Sequence, residues 1–186
     1  ACAIAGFYPE WFDIGAGVTN YLAVPDLPVD PGSTTFDLPG GTIFGGDLSS
    51  VRAISGARDE YFRKGAVEAV THAWYQGRGP QHPWQGVTEP DYTDFQDDGK
   101  YTWVKAPRFD GKPMQVGPVS NVLVGYALNH ALTRKWTDLA LQRVSAIAGR
   151  PIGVEQLQST MGRYLARAIR SAVLSELAVR HWELLV

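Results

Sequence analysis

Prolines stand at positions 80, 83, 90, 107, 113 and 118 of this chain. Each locks φ and removes a backbone donor, so no helix can run through residues 77–118. Trp84 and Trp103 lie in the same stretch. A flexible linker is poor in aromatics, so the composition predicts an ordered, wrapped loop rather than a disordered one. Loops this long are functional or are packed against something. Its second half, "KYTWVKAPRFDGKPMQVGP" over 100–118, combines aromatics, cations, prolines and glycines without any period.

Around this loop the pattern changes. Residues 1–50 are dense in Gly and Pro, which punctuates short strands and leaves little room for helix. "NYLAV" and "GGTIFGG" are the strand candidates. Helical spacing of Ala66, Ala69, Val70, Ala73 and Trp74 predicts a helix over 57–76, with Asp47 or Ser55 as cap and Gly77 beyond its end. Val122, Leu123, Tyr126, Ala127, His130 and Ala131, continued by Leu141, Val144, Ile147 and Ala148, predict a second over 119–148, stopped by Gly149 and Pro151. Leu157, Met161, Leu165, Ile169, Val173 and Leu177 predict a third over 154–183. The expected fold class is mainly α, with a strand-and-turn region over 1–50 and a helical part with a wrapped loop over 51–186. Charged residues make up 19% of the chain. That is below the ~25% of ordinary soluble domains and predicts that more protein covers the surface. The alanine at position 1 and the abrupt "RHWELLV" ending read as a processed chain or one section of a larger helical domain.

Formal net charge is −2, which offers no electrostatic footprint for nucleic acid. The single cysteine, Cys2, excludes an internal disulfide framework and a cysteine-rich metal site within these residues, and reads as a small buried hydrophobe. Glu68, His72 and Tyr75 fall at i, i+4 and i+7 of the first expected helix. Glu68 and His72, one turn apart, could face one metal ion, though a full site needs more ligands. The alternative is structural: His72 donating to a carbonyl and Glu68 pairing locally. His82 sits in a turn, His130 on a helical stripe, and His181 carries no signal. Arg163, Arg167 and Arg170 share a face, either solvated or ion-paired. Lys105 and Arg108 follow Trp103; the lysine either neutralises a carboxylate or meets a metal-bound water, or snorkels at the surface.

The run "EAVTHAWYQGRGPQHPWQGVTEPDYTDFQDDGKYTWVKAPRFDGKPMQVGP" resembles the middle of nickel–iron hydrogenase large subunits. The order of elements agrees: His-x-Trp-Tyr, His-Pro-Trp, Gly-x-Thr-x-Pro-x-Tyr, Lys-Tyr-x-Trp-x-Lys-x-Pro-Arg, then Val-Gly-Pro. "GAGVTNYL", "LPGGTI", "VGPVSNVLVGYA" and "LQSTMGRYLARAI" extend the resemblance over nearly all of the chain, closest to the membrane-associated uptake branch. The resemblance implies an enzyme that cleaves dihydrogen, with a nickel–iron centre carrying carbonyl and cyanide ligands between two Cys-x-x-Cys pairs. Neither pair is present here. It implies as partners an iron–sulfur small subunit, the remaining parts of the large subunit and a membrane cytochrome b, in a periplasmic, membrane-associated setting. It also implies a magnesium ion whose bound waters meet Glu68 and Lys105. Gln115 and Asn121 depart from the family's usual Glu and Arg, and "AVP" follows "NYL" where the family often has Tyr-Gly. Two other readings stand beside this one: a non-catalytic hydrogenase-like scaffold subunit of a respiratory complex, and a small binding module with Trp84 and Trp103 as an aromatic platform.

Overall fold

The computed structural model describes residues 1–77, 79–82 and 85–185. Along the chain come α1 (Cys2–Phe7), β1 (Tyr21–Ala23), β2 (Asp26–Pro28), β3 (Phe36–Leu38), β4 (Gly40–Ile43) and β5 (Arg52–Ile54). Then follow α2 (Glu60–Gly65), β6 (Ala66–Ala69), β7 (Pro80–Gln81), β8 (Ala106–Phe109), α3 (Pro118–Ala127), α4 (Ala131–Ala148) and α5 (Thr160–Leu185). These form two compact units. One joins Ala1–Gly56 to the chain from Gln115 onward; the other is Ala57–Met114. The architecture is mixed rather than mainly α: helices build much of the first unit, and small antiparallel sheets occur in both.

In the first unit, β1, β4 and β5 form an antiparallel sheet in the order β1-β4-β5. Both predicted strands are there, β1 within "NYLAV" and β4 within "GGTIFGG". Gly41 lets α3 approach this sheet, because a Cβ there would lie 3.1 Å from Val124 Cγ1 and 2.7 Å from the Arg52 carbonyl. Tyr21, Ile43, Leu123, Val124, Val144, Leu157 and Leu165 are fully buried in the core between sheet and helices. Each large apolar side chain so buried contributes roughly 1.5–3 kcal/mol.

The helix expected over 119–148 is two helices. Asn129 takes φ +59°, and its N–H donates to the Tyr126 carbonyl while the His130 N–H reaches Gly125. Asparagine visits this left-handed region more readily than most residues. The expected 154–183 helix begins as a 3-10 turn over Val154–Leu157 and becomes α5 only at Thr160. The Ser159 hydroxyl accepts from the Gly162 N–H at 3.0 Å, and Gly162 presses on the Leu157 backbone, where a Cβ would come within 2.3 Å of the carbonyl oxygen.

The helix expected over 57–76 is the main correction. Asp59, not Asp47, caps it, accepting from the Tyr61 and Phe62 N–H groups, while Asp47 caps the 3-10 turn Leu48–Ser50. After six residues the chain leaves the helix and Ala66–Ala69 runs extended, paired with β8 on one side and β7 on the other. Four residues are too few for apolar spacing to settle strand against helix, and ladder pairing with a distant segment decides between them. Gly77, at φ +79°, closes no helix. Within this unit Phe109 is fully buried beneath Gly65, with Tyr61 edge-on at 5.0 Å.

Gly65→Ala tests that contact. Its Cβ would lie 2.5 Å from Phe109 Cζ. Overpacking of this kind costs about 1–3 kcal/mol, so thermal melting of the variant is expected to shift down by several degrees.

Candidate functional site

The β6–β8 register builds the central pair. Glu68 lies opposite Pro107 and Ala69 opposite Ala106. The residue two positions before a cross-strand partner is a diagonal neighbour within reach of a long side chain. That residue is Lys105, whose Nζ lies 3.3 Å from Glu68 Oε2. The ammonium also donates to the Thr88 hydroxyl and stands 4.8 Å from the centre of the Tyr75 ring. Both side chains are part-buried, 23% exposed for Lys105 and 36% for Glu68. Glu68 Oε1 carries no partner among the described residues. Sequence-separated by 37 positions, the acid and the ammonium are thus held together by strand register, threonine and aromatic face.

Glu68, His72 and Tyr75 do not share a helix face. His72 turns away: its Nδ1 lies 2.7 Å from the Gly99 carbonyl, so that nitrogen carries the proton, and its ring stacks on Tyr101 at 5.2 Å. This is the structural alternative for His72. Tyr75 does reach the site, through its ring rather than its hydroxyl. Arg108 folds back on the Pro107 carbonyl and takes no part. Among the described residues no cluster of three or more His, Cys, Asp or Glu is arranged to hold a metal ion.

The wrapped loop is ordered by aromatic contacts. Trp74 meets Trp103 edge-on at 5.2 Å and Tyr92 at 4.9 Å, while its Nε1 donates to the Asp94 carbonyl. Trp103 nevertheless remains 47% exposed, and Val104 75%. The stretch is therefore not interior packing within this chain; Phe109 is its buried anchor. Trp84, the other half of the aromatic platform, lies outside the described residues. His82 is buried, and its N–H donates to Gln85 Oε1.

In the first unit the basic stripe of α5 divides. Arg163 donates to the carbonyls of Gly15 and Ala16 and to Gln115 Oε1, Arg170 pairs with Asp26 at 3.0 Å, and Arg167 is exposed. Gln115, where the resemblance expects Glu, uses both ends of its amide: Oε1 accepts from Arg163, and Nε2 donates to the Ala16 and Val18 carbonyls. A carboxylate could not make the second set. His181, which carried no sequence signal, lies with Nε2 2.7 Å from Asp37 Oδ2, beside Arg180 at 2.8 Å from Oδ1. Asp37 itself is only 7% exposed. His130 caps α4, with Nδ1 2.8 Å from the Thr133 hydroxyl. Cys2 is half-buried, with Sγ 4.0 Å from the Ala140 carbonyl.

A family model described as nickel-dependent hydrogenase matches residues 1–186. The chain belongs to the nickel-dependent hydrogenase family. It is 41% identical over 183 residues to the Hydrogenase-2 large chain of Escherichia coli (strain K12), covering 98% of this chain and 32% of that protein. It is 37% identical over 191 residues to the uptake hydrogenase large subunit of Rhizobium leguminosarum bv. viciae, covering 91% and 30%. The chain thus spans about a third of the length of these curated relatives. In fold it is similar to the H2-activated [NiFeSe]-hydrogenase of Dm. baculatum, with a TM-score of 0.70 and 23% identity over 97% of this chain and 34% of that one. Within this family frame, Thr88 is the site residue that periodicity missed, though it stands in the Gly-x-Thr-x-Pro-x-Tyr motif. Lys100, whose ammonium meets three backbone carbonyls, had no sequence signal beyond its place in Lys-Tyr-x-Trp.

Burial holds the His130 imidazole below its ordinary range, and the Asp37 charge opposes this. The folded state disfavours protonation, so the unfolded chain takes up the proton first as pH falls through about 6.5. His130 therefore contributes stability above that pH and loses it as pH falls toward its folded value. In melts between about pH 7.5 and pH 5.5, His130→Asn is expected to lose less stability than wild type; equal losses would remove His130 as the source.

Proposed function

We propose that this chain is a section of a nickel–iron hydrogenase large subunit, serving as scaffold around the metal-bearing part of the complete protein. The activity proposed for that protein is reversible heterolytic cleavage of dihydrogen, with electrons passing to an iron–sulfur small subunit. A nickel–iron centre with carbonyl and cyanide ligands would supply the redox chemistry when bound. The residues of this chain do not fit as its ligands: the one thiol, Cys2, packs against α4 and has no cysteine partner. No step through that centre is derived from these residues.

For magnesium the fit is better. A hydrated dication needs oxygen acceptors for its bound waters rather than many direct protein ligands. Glu68 Oε1 is such an acceptor, while Lys105 holds Oε2 and orients the carboxylate. Thr88 and the Tyr75 ring fix the ammonium in turn. The observation that carries this reading is the 3.3 Å approach of Lys105 Nζ to Glu68, imposed by β6–β8 register. We extend the proposal to a periplasmic, membrane-associated enzyme with a cytochrome b partner, a reading supported by likeness to the uptake large subunit.

The test uses the complete large subunit with its small subunit. Glu68→Gln and Lys105→Met are expected to lower magnesium content per nickel, and to reduce hydrogen oxidation on the order of 10–100-fold. Wild-type magnesium content and activity in both variants would overturn the role given to the pair.

A further inference from the structure

The Lys100 side chain is part-buried and ends in a group of backbone oxygens. Its Nζ donates to the carbonyls of Ala73 at 2.9 Å and Gly77 at 3.2 Å, and to that of Tyr75 between them. An ammonium has three donors and no acceptor, so these three alternate carbonyls use it completely. No carboxylate among the described residues pairs with it; carbonyl dipoles alone face its charge. The segment 70–77 is irregular, joined to its neighbours by isolated bridges such as Ala73 to Thr102 and Tyr75 to Pro90, and by scattered backbone hydrogen bonds at His72, Trp74 and Gln76. The carbonyls of His72 and Trp74 find backbone donors, and that of Ala73 also accepts from the Tyr75 N–H; a carbonyl turned away from water without a donor is costly. Among the described residues, Lys100 is the donor to the Tyr75 and Gly77 oxygens.

We propose that the Ala73, Tyr75 and Gly77 carbonyls form a monovalent-cation site occupied by the tethered ammonium of Lys100, which makes Lys100 a positioning residue for Lys105. Rings of carbonyl oxygens that replace a hydration shell are the chemistry that binds potassium-like ions. Magnesium, which gives up its waters reluctantly, is a poor occupant of such a group. The link to Lys105 runs through Tyr75. The same peptide whose oxygen Lys100 holds carries the ring that stands 4.8 Å from Lys105 Nζ and 6.2 Å from Trp103. With the cation gone, the Tyr75 and Gly77 carbonyls turn outward to find water, and the ring leaves its place. This inference concerns the order of the 73–77 turn and does not depend on a metal at Glu68.

Lys100→Ala empties the site while leaving the carbonyls in place. The variant is expected to melt lower, with a loss on the order of tenfold in the folding equilibrium constant, the size of one charge-assisted hydrogen bond. Its Lys105 side-chain NMR signals are expected to shift. Methylammonium chloride should restore both properties saturably, because it brings the missing donors to the cage. Tetramethylammonium chloride at equal ionic strength has no N–H and should not. Lys100→Met, whose chain still fills the approach, should be destabilised without being rescued. All samples contain a chelator, so the outcome is separate from that of the magnesium proposal. Parent-like Lys105 signals in Lys100→Ala, or equal recovery in both salts or in both variants, would overturn the inference. Should Lys100→Ala not fold alone, folding in methylammonium but not in tetramethylammonium supports it, and failure in both refutes it.

Discussion

Backbone carbonyls in irregular segments need donors, and in this chain long polar side chains provide them. Lys100 serves the oxygens of Ala73, Tyr75 and Gly77. Arg163 and Gln115 together serve those of Gly15, Ala16 and Val18, and Arg150 serves that of Pro9. These segments form no long ladders, so without such partners their carbonyls would be left to water. A charge-assisted hydrogen bond is also stronger than a neutral one. Each cation therefore both satisfies the local backbone and ties it to a distant helix or loop.

The candidate site follows from the same constraint. Irregular backbone held at several points places Tyr75 and Thr88 around Lys105, while the β6–β8 ladder aims Lys105 at Glu68. A lysine on a flexible surface loop would spend its rotamer entropy in solvent. Here its ammonium is confined between an acid, a hydroxyl and a ring. That confinement suits the role proposed for it, holding a carboxylate in one orientation beside a hydrated cation.

The neutral Gln115 makes sense in this frame. Its amide accepts from Arg163 and donates to two carbonyls, which a carboxylate cannot do. The exchange of an acid for an amide thus recruits one more donor for the glycine-rich segment 15–18. Asn121, the other departure, has no comparable explanation in the structure.

The composite motifs of residues 68–118 carried the family, and with it the pairing of Glu68 with Lys105; helical spacing instead grouped Glu68 with His72, wrongly. Short strands at "NYLAV" and "GGTIFGG", the stop at Gly149 and the buried stripe of α5 were legible because they rest on local chemistry, namely turn residues and apolar period. The break at Asn129 was hidden by an apolar spacing that runs on through it; the strand at Ala66–Ala69, the carbonyl cage around Lys100 and the Asp37–His181 contact were not legible either. These last three depend on partners outside any local window: a ladder, a lysine more than twenty residues on, or a carboxylate well over a hundred residues away. Sequence alone determined which segments could be regular and which family they belong to. Tertiary structure decided which helix became a strand and which cation met which oxygen, because those choices are settled by long-range hydrogen bonds that no local window contains.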